Sequence, residues 1–174
     1  MKTVLTTLAL GTLAVASTAS TPYQAGRTIE APAPAAFHAI VNGAVNTTIS
    51  GDARFGMVRG GENIPSSFTV SLGAYGANGS ILFTSWGPNR LEAGRYQVTD
   101  AMSDEALQAL VVTGSAQQPT GSFRVHKGSL VITRSSEFRI DGTYDLEGTG
   151  FTADEPEQEG RTIHVTGSFT ALAN

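Results

Sequence analysis

The residues best suited to binding chemistry cluster around Trp86, the single tryptophan of the chain. Asn89 and Arg90 follow it closely, with Gly87-Pro88 between them marking a turn. An indole beside an amide and a guanidinium can stack on a sugar ring or anchor a protein partner. Tyr75 joins this set on the preceding turn, so the candidate binding residues are Trp86, Tyr75, Asn89 and Arg90. The competing reading is structural, because the lone tryptophan of a small β domain commonly sits partly inside the core.

Other reactive side chains do not assemble into a motif. A zinc site needs three or four converging ligands, whereas His38, His126 and His164 are scattered singly and read as solvent-facing. Asp154, Glu155, Glu157 and Glu159 surround Pro156 in an acidic loop at 154–159. The loop lacks the alternating oxygen ligands and glycine of a dedicated calcium loop, so it reads as a solvated hairpin whose charges discourage edge pairing. Asp141 and Asp145 share one strand face, the one arrangement that hints at glycosidase carboxylates. There is no Gly-x-Ser-x-Gly elbow and no cysteine nucleophile. No catalytic residue, metal ligand or cofactor site is therefore assigned, and the chain reads as a non-enzyme. Asn46-Thr47-Thr48 and Asn78-Gly79-Ser80 match the glycosylation sequon, which matters only in a eukaryotic secretory pathway.

The elements that must position these residues are strands. From Glu137 to Glu147 the chain alternates strictly: Phe138, Ile140, Gly142, Tyr144 and Leu146 on one face, charged residues and Thr143 on the other. Side chains of a strand alternate faces, so this segment has one dry face and one wet face. Shorter alternations recur at Phe37–Val41, Val45–Ile49, Ala53–Met57, Phe68–Leu72, Ile81–Ser85, Tyr96–Val98, Phe123–Ile132 and Ile163–Ala171. Glycine-rich turns separate them, and about eight or nine strands result. One short helix near 103–110 is also expected, from the Ser103 cap and the acidic Asp104-Glu105 before Leu107 and Leu110. Thr120-Gly121-Ser122-Phe123 and Thr166-Gly167-Ser168-Phe169 repeat a tetrapeptide, and Gly142-Thr143-Tyr144 is a relative. No fixed period accompanies them, so they read as chance similarity among strands.

The N-terminus reads as an export signal at 1–20, with Lys2, an apolar run at Val4–Val15 and small residues after it. That run is about half the roughly 20 residues a membrane-spanning helix needs. A flexible Pro/Ala-rich tether follows at 21–36, then one β domain at 37–174. Lys2 is the only one of the 11 basic residues inside the signal, so against 15 acidic residues the mature chain carries a mild negative charge. Such a surface argues against nucleic acid as a partner. The expected location is secreted or periplasmic, with no transmembrane helix in the mature chain. No cysteine is present, so neither disulfides nor a lipid-modified cysteine is available.

Gly128-Ser129-Leu130-Val131-Ile132-Thr133, Arg139-Ile140-Asp141-Gly142-Thr143-Tyr144 and His164-Val165-Thr166-Gly167-Ser168-Phe169-Thr170 carry a resemblance. The C-terminal third resembles a pattern in uncharacterised exported bacterial proteins that look like small secreted or lipid-anchored β-sandwich domains. The resemblance implies a fold and a compartment and carries over no functional residue. The expected architecture is an antiparallel β-sandwich, with a closed β-barrel as the alternative. The expected function is a non-catalytic binding or adhesion-like module for a glycan or surface protein. A calycin-like carrier is the alternative and predicts an internal cavity lined by Phe68, Phe83, Phe123 and Tyr144. A secreted hydrolase and a small outer-membrane barrel stand behind these.

Overall fold

Two-residue alternation dictates which side of each strand is buried, and the buried residues of successive strands gather into one apolar cluster. The computed structural model describes residues 34–62, 64–73, 77–101, 106–115, 117–157 and 160–174. The expected signal at 1–20 and most of the tether at 21–36 lie outside them. The strands are β1 (Ala36–Gly43), β2 (Thr47–Gly51), β3 (Ala53–Val58), β4 (Ser67–Leu72), β5 (Gly79–Trp86), β6 (Gly94–Thr99), β7 (Leu107–Gly114), β8 (Pro119–Ser135), β9 (Arg139–Thr152) and β10 (Arg161–Ala173).

Over the described residues the chain is all-β, as expected, with ten strands in a single mixed sheet. The pairings do not divide it into the two antiparallel sheets of the expected sandwich. Two short parallel pairings make it mixed: β10 with β3 through Leu172↔Arg54 and Ala173↔Phe55, and β6 with β7 at Val98↔Leu107. The first returns the sheet on itself, because β3, β4, β5, β7, β8, β9 and β10 pair in succession and β10 then meets β3. β1 lies along β10, and β2 lies along β1. The outer edge of β2 is met by a side chain: the Asn78 amide donates to the Thr48 carbonyl at 2.7 Å and accepts from the Ser50 N–H at 3.4 Å. One amide group thus supplies what a neighbouring strand would.

The expected helix is not formed over Leu107–Leu110, which open β7. Leu107 and Ala109 are buried while Leu110 is exposed, a period of two that the β-branched Val111-Val112-Thr113 continues. Residues 103–105 lie outside the described residues. Ile140, Gly142, Tyr144 and Leu146 do face the interior, but Phe138 does not; it is 74% exposed. Ser136 ends the alternation, since its N–H and hydroxyl both bond to the Arg139 carbonyl and form the β8–β9 turn.

The repeated Gly-x-aromatic segments prove to have a packing reason. Phe169 lies directly opposite Gly142 across β9 and β10, and Tyr144 lies opposite Gly167. A side chain on Gly142 would strike the Phe169 ring, and one on Gly167 would strike the Tyr144 ring. In antiparallel strands a glycine two residues before an aromatic makes a self-complementary pair, each ring lying over the glycine of the other strand. In β8 the Phe123 ring folds back over Gly121 of its own strand. The rings then meet one another inside: Phe83 and Tyr144 at 5.7 Å between centroids, Tyr144 and Phe169 at 6.3 Å. Tyr144 donates its hydroxyl to the His38 carbonyl at 3.3 Å, and burial pushes its phenol well above the ordinary value.

Candidate functional site

Trp86 closes β5 at the end of the sheet toward which β3, β8 and β10 also run. Its backbone faces Ser67 of β4, and its side chain is half-buried. Gly87 then turns the chain with φ of +110°, a left-handed conformation that disfavours a side chain, and donates its N–H to the Ser66 carbonyl at 2.8 Å. The loop of residues 87–93 is anchored by Leu91, which is buried in the core.

Hydrogen bonds then fix the loop against the end of β8. Arg90 donates from Nε to Ser135 Oγ at 3.1 Å, and Ser135 Oγ donates to the Leu91 carbonyl at 2.7 Å. The Arg90 Nη2 group donates to Glu92 Oε1 at 3.2 Å. Tyr96 on β6 donates its hydroxyl to the Glu92 carbonyl at 2.9 Å. Trp86, Asn89, Arg90, Glu92 and Tyr96 consequently line one cleft of about 260 Å3. Arg90 also borders a second cleft of about 360 Å3 that includes Phe55, Met57, Phe68 and Asn174. Exposed Met57, Val58, Ile64 and Phe138 belong to the same end of the sheet.

Three of the four sequence-derived binding residues therefore come together, and Tyr75 lies outside the described residues. Sequence reasoning missed Glu92, Tyr96 and Ser135. Tyr96 reads from the sequence only as an alternating strand residue, and nothing in the chain signals that Ser135, 45 positions from Arg90, reaches the same loop.

The remaining candidates are placed elsewhere. His38, His126 and His164 are all exposed. His126 and His164 border an outer groove of about 530 Å3 together with Glu147 and Asn42, and His164 Nε2 lies 2.7 Å from Asp145 Oδ1. Among the described residues no group of three or more histidine or acidic side chains stands close enough to hold a metal ion. In the acidic loop Glu155 forms an ion pair with Arg161, Asp154 and Glu157 are exposed, and Glu159 lies outside the described residues. Asp141 is enclosed by Arg139 at 2.8 Å, Arg134 at 3.7 Å and the Thr170 hydroxyl at 2.8 Å. Four residues along an extended strand separate Asp141 from Asp145 by roughly 13 Å between backbones. Cooperating glycosidase carboxyls are about 5–9.5 Å apart. Both sequon asparagines commit their amides to backbone, Asn46 to Gly43 and Asn78 to β2.

No protein-family model, curated protein or solved structure matches this chain.

Proposed function

We propose that this chain is an exported, non-catalytic binding module that engages a glycan or a surface protein through the loops around Trp86. In this reading a leader at 1–20 is removed, the tether at 21–36 spaces the β domain from its surroundings, and the module belongs with the uncharacterised exported bacterial β domains that its C-terminal third resembles. The observation that carries the reading is the convergence of Trp86, Asn89, Arg90 and Tyr96 on one cleft held by the hydrogen bonds of Ser135 and Glu92. Half-buried aromatics beside polar groups are the usual composition of a recognition patch.

The circuit of paired strands favours the closed barrel over two stacked sheets. An internal carrier is less favoured, because Phe83, Phe123 and Tyr144 are buried side chains that fill the interior, and Phe83, Tyr144 and Phe169 touch one another. A lipid-facing barrel would turn an apolar belt outward, whereas β8, β9 and β10 turn Lys127, Asp141, Asp145, Glu147 and His164 outward. A hydrolase built on Asp141 and Asp145 is less favoured, because Asp141 is engaged by Arg139 and Arg134 and Asp145 by His164.

The test is intrinsic fluorescence of the mature domain, where Trp86 is the sole indole. A red-shifted signal that acrylamide quenches, and that changes with a glycan or protein partner, is the expected outcome. A blue-shifted signal inaccessible to acrylamide would place the indole in the core and refute the reading.

A further inference from the structure

We propose that the Trp86–Tyr96 cleft is a subsite for an uncharged sugar ring, and that it discriminates against acidic saccharides; this rests on the binding-module reading above. The argument begins with charge. Among the described residues that line the cleft, Arg90 is the one cation and Glu92 the one anion, and they face each other at 3.2 Å. Nε of Arg90 is already held by Ser135, so the guanidinium meets a carboxylate on one side and a hydroxyl on the other. An entering anion gains one cation only by approaching Glu92, and the two interactions oppose each other.

A polyol meets no such conflict. The second Glu92 oxygen can accept from a hydroxyl, the remaining guanidinium N–H groups can donate, and the Asn89 amide does both. Among the described residues the Asn89 side chain has no hydrogen-bond partner. A wholly apolar ligand would strip water from these groups and give nothing in return.

Shape agrees with charge. The cleft of about 260 Å3 falls below the roughly 300–1,000 Å3 of sites for drug-sized molecules, which suits one ring rather than an extended ligand. Two half-buried aromatics line it, and Tyr96 is held by its bond to the Glu92 carbonyl. The C–H face of a pyranose lies well on such surfaces while its equatorial hydroxyls point sideways to Asn89 and Glu92. Ser135 and Leu91 hold the loop before any ligand arrives, so little order remains to be imposed on binding.

The experiment titrates the mature domain with glucose, xylose and mannose hexamers and with a galacturonate hexamer, reading Trp86 fluorescence and heat. The expected result is saturable binding of a neutral hexamer whose Kd changes less than about twofold from roughly 0.05 to 0.5 M salt. Trp86→Ala should abolish it, and Asn89→Ala should weaken it about tenfold, with circular dichroism showing that both variants fold. Glu92→Gln should admit the galacturonate hexamer, because it leaves Arg90 uncompensated. Tighter binding of galacturonate to the wild-type cleft overturns the inference and leaves the binding-module reading standing. Neutral binding unchanged by Trp86→Ala overturns the location. If no saccharide perturbs an acrylamide-accessible Trp86, the sugar inference fails and a protein partner remains; if Trp86 is inaccessible, the binding-module reading fails with it.

Discussion

The three long strands at the C-terminal side and the loop end around Trp86 are held together by different means. β8, β9 and β10 run 17, 14 and 13 residues, and β9 is paired on both sides over most of its length. Their inner faces interlock through glycine–aromatic pairs. The Trp86 end has short strand termini and a loop joined by side chains to β8, through Arg90 and Ser135, and to β6, through Tyr96. A ladder of backbone bonds is indifferent to most outward substitutions, whereas a loop tied by a few hydroxyls changes with each of them. The molecule therefore separates a frame held by backbone ladders from a loop end held by side chains.

Four substitutions test this separation. Ile140→Asp should break the frame outright, because a position with 0% exposure would receive an unpaired carboxylate. Loss of the far-ultraviolet strand signal is expected, and a stably folded variant would reverse the assigned strand polarity. Gly167→Ala should cost about 1–3 kcal/mol, since its methyl meets both the Tyr144 ring and the His38 carbonyl and the strands must part. Urea unfolding measures this, and an unchanged midpoint would show that the rings are not interlocked.

Tyr144→Phe should cost about 0.5–1.5 kcal/mol at neutral pH through the lost bond to His38. Its clearer effect is alkaline. The folded phenol titrates above its unfolded value of about 10, so its contribution is complete below that pH and is lost as pH rises toward the folded value. The wild-type midpoint should fall as pH climbs past about 10, and the phenylalanine variant should fall less. Ser135→Ala should have the smallest global effect, about 1 kcal/mol, while Trp86 becomes more accessible to acrylamide. Accessibility that stays at the wild-type value would show that the loop is held without Ser135, by Leu91, Tyr96 and the Gly87 N–H.

What was legible in the sequence follows the same division. Strand faces were readable at Ile140, Tyr144, Leu146, Ile163 and Val165, because burial there has the local period of two. The period misled at Phe138, where a turn held by Ser136 interrupts it without any glycine or proline to announce the break. Around Leu107 an N-cap signal competed with β-branched residues, and pairing with β5 decided for the strand. Gly-x-aromatic repetition was visible, yet its meaning depends on which residue lies opposite, and register between β9 and β10 is not written locally. Trp86, Asn89 and Arg90 could be grouped because one turn carries them. Glu92 and Tyr96 needed the loop's path, and Ser135 needed the pairing of β6 with β8.

The pairing of β10 has a consequence in time. β10 touches β1, β9 and β3, and it is the last of the ten strands in chain order. During synthesis the other nine emerge without the strand that joins the first to the rest. A ribosome releasing the chain one residue after another therefore presents a polypeptide that cannot complete its sheet until β10 is free.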